Sequence, residues 1–187
     1  MLLREDHREV RRLFREYRGL VAGDGQGGED ARREKVERIV EELTVHTYLE
    51  DELFYPRLRQ EVPGLADDMD RAREEHHVAD LLCEELIRMT PADAGYDAKA
   101  AVLIDAVERH IDEEESSWFP KVRAALGRKE LREMGERMQA VRETAPRHPH
   151  RQRQRQRQRH AAPHRRRTGG LNGPATVARE LADSSSG

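Results

Sequence analysis

HTYLEDELFYPRLR, residues 46–59, recurs as HIDEEESSWFPKVR at residues 110–123. Both segments read His-x3-Glu-x3-aromatic-aromatic-Pro-basic-x-Arg, with the same spacing throughout. A histidine followed four residues later by a glutamate places an imidazole and a carboxylate one turn apart on one helix face. His46 is paired in this way with Glu50, and His110 with Glu114. The segments upstream match as well: DHREVRRLF (6–14) aligns with EHHVADLLC (75–83), setting His7 on His76, Val10 on Ala79 and Leu13 on Leu82. The chain therefore reads as two related helical pairs, which on folding bring four single-helix contributions around a pseudo-twofold axis.

Glu, Arg, Leu and Ala dominate the first 145 residues and β-branched clusters are absent, so this part reads as helix throughout. Four long helices are expected over about 3–22, 30–61, 66–89 and 97–126, separated by GDGQGG, VPG and TPADAG. A shorter fifth, over about 129–144, carries Leu131, Met134, Met138 and Val141 at helical spacing and should dock on the others. Short connections make neighbours antiparallel. The expected fold class is all-α, an antiparallel up-down four-helix bundle over residues 1–145 with a short fifth helix. Pro56 and Pro120 each remove a backbone donor and are expected to kink or end their helices. Only six residues precede His7, so the first helix is expected either to begin upstream or to be held mainly by a metal.

Composition narrows the class. Charged residues make up 38% of the chain and mean hydropathy is −0.96. No apolar run approaches the ~18 residues that mark a membrane span. The start MLLREDHREV lacks the pattern of a secretory signal, and a cytoplasmic location is expected. Cys83 is the sole cysteine, which excludes an internal disulfide and leaves packing, metal ligation or redox chemistry, with packing preferred. From Pro146 onward the character changes to RHPHRQRQRQRQRHAAPHRRRTGG, with ten arginines and no lysine against Glu180 and Asp183. Residues 146–187 are expected to be a disordered, solvated tail. Its arginines could attach to nucleic acid or another polyanion, and His148, His150, His160 and His164 could loosely take up transition metals.

The apolar stripes carry the chemical signal. On the second helix Ile39, Leu43, His46, Glu50 and Leu53 step by three or four residues, and on the fourth Leu103, Val107, His110, Glu114 and Trp118 do the same. Burying a lone carboxylate costs several kcal/mol, so an inward-facing Glu needs a partner. A pair of metal ions supplies one, because imidazole suits iron and carboxylates can bridge two ions inside a helical bundle. The competing reading is a set of weak surface His–Glu pairs, which the recurrence of the whole pattern disfavours. Phe54, Tyr55, Trp118 and Phe119 read as core rather than as gates. Glu52, Glu113 and Glu115 read as solvated neighbours.

In combination, the DH of the first helix, HTYLEDELFYP, EEHH, HIDEEESSWFP and the closing GRKELREMGERM resemble the hemerythrin family, specifically its bacterial branch of HHE cation-binding proteins, over about residues 2–144. The resemblance implies two iron ions, with His7, His46, His76 and His110 as nitrogen ligands and Glu50 and Glu114 as bridging carboxylates. His77 is a candidate fifth nitrogen ligand, although His76 is the residue in register with His7. Respiratory hemerythrins carry His-x3-His on the third helix, whereas here the residue four beyond His76 is Asp80, which leaves room for an oxygen or water ligand. The implied function is binding or sensing of oxygen, nitric oxide, peroxide or iron through an open coordination position. The alternatives are an enzyme turning over peroxide or nitric oxide, and a metal-free interaction bundle with a polyanion-binding tail.

Overall fold

The structure is a computed structural model, and it describes residues 2–23 and 28–149. Among these residues the α-helices are α1 Leu2–Ala22, α2 Gly28–Leu49, α3 Tyr55–Glu61, α4 Ala66–Arg88, α5 Tyr96–Glu113, α6 Phe119–Ala125 and α7 Arg128–Arg142. Two five-residue π-helical stretches, Glu50–Phe54 and Glu114–Trp118, join α2 to α3 and α5 to α6 without a break. The result is four long rods: α1, α2 with α3, α4, and α5 with α6. α1 packs on α2 and α5, and α4 packs on the same two helices, which closes the ring of an antiparallel four-helix bundle. α7, the short fifth helix, lies against α1 and α2. The all-α class and bundle expected from the sequence are those found.

Of the two outcomes expected at the prolines, a kink or an end, neither helix ends there. Within an α-helix the ring of Pro56 would press on the carbonyl four residues back. Here the N–H of Tyr55 bonds to the carbonyl of Glu50, five residues back, so the turn is widened just before the proline and the helix resumes straight after it. Phe119 and Glu114 repeat the arrangement ahead of Pro120. Each proline is thus accommodated by a π-turn rather than ending its helix. The turn between α4 and α5 closes more conventionally. The carboxylate of Asp93 accepts from the backbone N–H and hydroxyl of Thr90, and Gly95 takes the left-handed φ of +87° from which α5 starts.

Apolar burial is split between two clusters. One, near the α4–α5 turn, gathers Phe14, Tyr17, Val36, Leu86, Tyr96 and Ile104; the other, beneath α7, gathers Leu3, Leu49, Phe54, Leu65, Phe119 and Met138. Each such side chain contributes roughly 1.5–3 kcal/mol of transfer free energy when fully buried. Buried polar residues occupy the layer between them, and they include all six His and Glu residues of the two repeated helical pairs. The fold is therefore two apolar cores with a polar slab held between them.

The first turn of α1 is better anchored than its position near the start suggests. Leu3 is fully buried, and Arg4 lies over the Phe119 ring at 5.5 Å while donating to the Glu115 carbonyl at 3.4 Å. Arg142 of α7 pairs with the carboxylate of Asp6. Protein contacts thus hold this turn, whatever a metal adds. At the other end, Pro146 and Pro149 are buried and Arg147 pairs with Glu41 of α2, so residues 146–149 still lie against the bundle. The disorder and polyanion binding expected of the tail fall almost entirely on residues 150–187, outside the described residues. Among the described residues no helix is long and apolar enough to cross a membrane.

Candidate metal centre

Periodicity along α2 turns His46 and Glu50 inward, and periodicity along α5 does the same for His110 and Glu114; α1 and α4 add His7 and His76. Their ligand atoms fall into two groups within 4.8 Å, His7–His46–Glu50–Glu114 and Glu50–His76–His110, with Glu50 common to both. Glu50 divides its oxygens: Oε1 is 3.2 Å from His46 Nε2, and Oε2 is 3.4 Å from His76 Nε2. Glu114 divides its own in the same manner, with Oε2 3.3 Å from His7 Nε2 and Oε1 3.9 Å from His110 Nε2. Two positions result: the first faces His7, His46 and one oxygen from each carboxylate, and the second faces His76, His110 and Glu50, with Glu114 Oε1 at the longer 3.9 Å from His110 Nε2.

The opposite nitrogen of every imidazole faces a carboxylate. His7 Nδ1 is 2.9 Å from Glu115, His76 Nδ1 is 3.2 Å from Asp51, and His110 Nδ1 is 2.9 Å from Glu75. His46 Nδ1 is 3.6 Å from Asp6, an ion-pair rather than a hydrogen-bond distance. An Nδ1–H donating outward leaves the Nε2 lone pair pointing inward, the tautomer a metal ligand needs. Three of these carboxylates are in turn held by arginines: Glu115 by Arg11, Asp6 by Arg142 and Asp51 by Arg73.

A metal pair fits what these residues leave unsatisfied. Glu50 and Glu114 are fully buried, and both Glu50 oxygens, Glu114 Oε2, His7 Nε2 and His46 Nε2 lack a hydrogen-bond partner. Such groups each cost about 1–3 kcal/mol when left unpaired, more for charged ones. His76 Nε2 and His110 Nε2 face one another at 3.2 Å, a natural approach for two lone pairs that share a cation. Without a cation, the bundle can balance its buried carboxylates only with protons. Burial pushes the His46 imidazolium down, but the Glu50 and Asp6 carboxylates outweigh it and raise its pKa to about 10. His76 is likewise raised by Asp51 and Glu50 against its own burial. Glu50 is held well below the usual carboxylate range by His46 and His76, against the upward push of burial.

The π-turns aim further side chains at this layer. Five residues past Glu50, Tyr55 stacks on His76 with ring centroids 5.6 Å apart. Five residues past Glu114, Phe119 stacks on His7 at 5.5 Å. The Tyr55 hydroxyl donates to Glu114 Oε1 at 3.0 Å and lies 3.4 Å from both His76 Nε2 and His110 Nε2. Its sequence signal was the hydroxyl that distinguishes it from Phe119 in otherwise matched motifs. Reading Tyr55 only as core missed that hydroxyl, and reading Glu115 as solvated missed its bond to His7.

Six of the seven ligand candidates converge, and His77 does not. One residue past His76 is about 100° around the helix, which puts His77 on the exposed face of α4. Asp80 is buried one turn beyond His76 but stands outside both ligand groups. It instead lines a cavity of about 480 Å³ between α2, α4 and α5 that reaches His46, His76 and His110.

The comparisons with known proteins agree with this geometry. A hemerythrin HHE cation-binding domain-containing protein from Mycobacterium kansasii superposes with a TM-score of 0.59 at 27% identity, covering 76% of this chain and 83% of that one. A DNA nickase from Nostoc sp. (strain PCC 7120) is 27% identical over 143 residues, which is 75% of this chain but only 38% of the nickase. The chain thus spans well under half of that curated relative. Residues 2–122 match the family described as the hemerythrin HHE cation binding domain. With two buried His and Glu clusters geometrically consistent with a di-iron site in a bundle of this shape, the chain belongs to the hemerythrin HHE cation-binding family.

Proposed function

We propose that the chain holds a pair of iron ions between its four histidines and two shared carboxylates, and uses them to bind or sense a small oxygen-type ligand: oxygen, nitric oxide or peroxide. The observation that carries this reading is the division of the Glu50 and Glu114 oxygens between the two histidine pairs. A carboxylate placed to bridge serves two cations, and mixed imidazole and carboxylate donors suit iron. When bound, an iron pair supplies redox chemistry and a Lewis-acidic position for the ligand. The protein's part is to exclude bulk water from the carboxylates, fix the imidazole tautomers, and leave an approach from solvent. That approach is the cavity, which is lined by both His76 and His110 of one position but by only His46, not His7, of the other. Ligand exchange is therefore assigned to the His76–His110 position.

The test is metal analysis with an optical spectrum of aerobically purified protein, before and after His46→Ala. About two irons per chain with oxygen-to-iron charge-transfer bands, both reduced in the variant, are expected. One zinc per chain would sink the reading.

Tyr55 favours a second reading, turnover of peroxide. Burial and then the Glu114 carboxylate raise its pKa well above the usual phenol value, so it stays protonated and can lend a hydrogen bond at the ligand's position. Tyr55→Phe separates the two. Sustained peroxide consumption that falls at least tenfold in the variant favours turnover, whereas a reversible spectral change on adding oxygen, kept in the variant, favours binding. The nicking activity named for the Nostoc relative belongs to a protein of which the matched region is only 38%. Relaxation of supercoiled plasmid by this chain tests for that activity directly.

A further inference from the structure

The cavity beside His76 and His110 is far larger than a diatomic gas or peroxide needs. Its volume of about 480 Å³ compares with roughly 30 Å³ for one water in the liquid, and lies in the range, about 300–1,000 Å³, that accommodates organic ligands. The internal repeat accounts for it. Val10 and Phe14 of α1 are buried, with 1% and 0% exposure, and fill the bundle beyond His7. Their counterparts in α4 are Ala79 and Cys83, both of which line the cavity. Where the first half of the molecule places a phenyl ring and an isopropyl group, the second places a thiol and a methyl. The missing volume has not been taken up by neighbours: Leu43 and Val107 complete an apolar wall that runs from the three histidines toward the bundle core.

We propose that this cavity binds a neutral organic molecule with an apolar body and a hydroxyl-type head, an alcohol or an alkyl hydroperoxide. The body lies along Leu43, Ala79, Cys83 and Val107, and the head points at His76 and His110. Neutrality follows from the charges around it. The buried carboxylate of Asp80 stands beside the apolar wall, and Glu74, Glu75 and Glu113 ring the mouth, so an anionic head meets like charge on entry. Arg71 is paired with Glu113, and with Arg109 it sets two guanidinium groups against the four carboxylates of the lining, so acidic groups outnumber basic ones. The orientation of the head rests on the metal reading above; the fit of the body does not.

The experiment is calorimetric titration with ethanol, butanol and hexanol, and with hexanoate, into full-length protein of measured iron content and into the same protein after chelation. Each methylene buried on the apolar wall is expected to tighten binding by about fourfold, with hexanoate weaker than hexanol. In Ala79→Val/Cys83→Phe, which copies the first repeat, the dependence on chain length should vanish. In the wild type, hexanol should slow methanethiosulfonate labelling of Cys83 and ethanol should not, a readout that survives if the double variant fails to fold. No gain with chain length in wild-type protein, or an equal gain in a folded double variant, overturns the proposal. If iron is absent yet chain-length dependence remains, the metal reading fails and the cavity assignment stands; iron present without chain-length dependence is the reverse.

Discussion

The position facing His7 and His46 and the position facing His76 and His110 are related by the internal repeat, yet they sit in different surroundings. The first is closed on its His7 side and meets the cavity only at His46. Phe119 covers His7, Val10 and Phe14 fill the space beyond, and the outer carboxylates Glu115 and Asp6 are tied to Arg11 and Arg142. The second is open. Tyr55 covers His76 with a hydroxyl where the other has none, Ala79 and Cys83 leave a cavity, and Glu75, the carboxylate behind His110, is 44% exposed. A duplicated scaffold has kept its inner ligand geometry and diverged one layer out. Under the function proposed above, the asymmetry assigns ligand exchange to the second position and leaves the first to hold its ion.

The largest expected effect tests what the two positions share. Removing metal by chelation should lower Tm by roughly 10 °C, since a cation at 1,000 times its Kd contributes about 4 kcal/mol to the native state. An unchanged melt would break the comparison at its root. Next, His7→Ala and His76→Ala should differ in the metal-free protein. Deleting His7 strands Glu114 Oε2 in a closed space at about 3 kcal/mol, whereas water entering through the cavity should offset part of the loss at His76. Urea unfolding measures both, and equal losses would show that the two surroundings are equivalent.

The outer carboxylates sharpen the contrast further. Asp6→Asn should speed metal release from the closed position by 10- to 100-fold, while Glu75→Gln, on a group already partly solvated, should change release from the open position by less than tenfold. Stopped-flow chelation reads each phase. A smaller effect concerns pH. In metal-free protein the pKa of His46 is raised to about 10 and that of His76 is raised as well, so the folded state keeps protons that the unfolded chain loses near its ordinary value of about 6.5. Their stabilisation is full below about pH 6.5 and is lost as pH rises toward 10. Denaturant midpoints measured from pH 6 to pH 10 should fall accordingly; a rise would contradict the protonated state assigned here. The smallest effect is His77→Ala, which should leave metal content unchanged and shift stability by less than about 0.5 kcal/mol.

Much of this molecule could be read before it was seen folded. The His-x3-Glu spacing and the match of residues 46–59 with 110–123 are local properties, and helical periodicity converts them directly into shared faces. The breaks at VPG and TPADAG likewise mark where backbone conformation must change. His76 could be preferred to His77 because register with His7 is also a one-dimensional property. Tertiary structure decided the remainder. The π-turns arise where a proline must be accommodated inside a continuous packed rod, so Tyr55 and Phe119 face inward five residues after their glutamates rather than four. The pairing of Asp6 with Arg142, across 136 residues, and of Glu115 with His7, across 108, depends on which helices become neighbours. The cavity is more remote still from the sequence, because Ala79 and Cys83 leave a void only if nothing on α2 or α5 reaches across to fill it. Periodicity is written along one strand of chain, whereas complementarity and emptiness are properties of several helices at once.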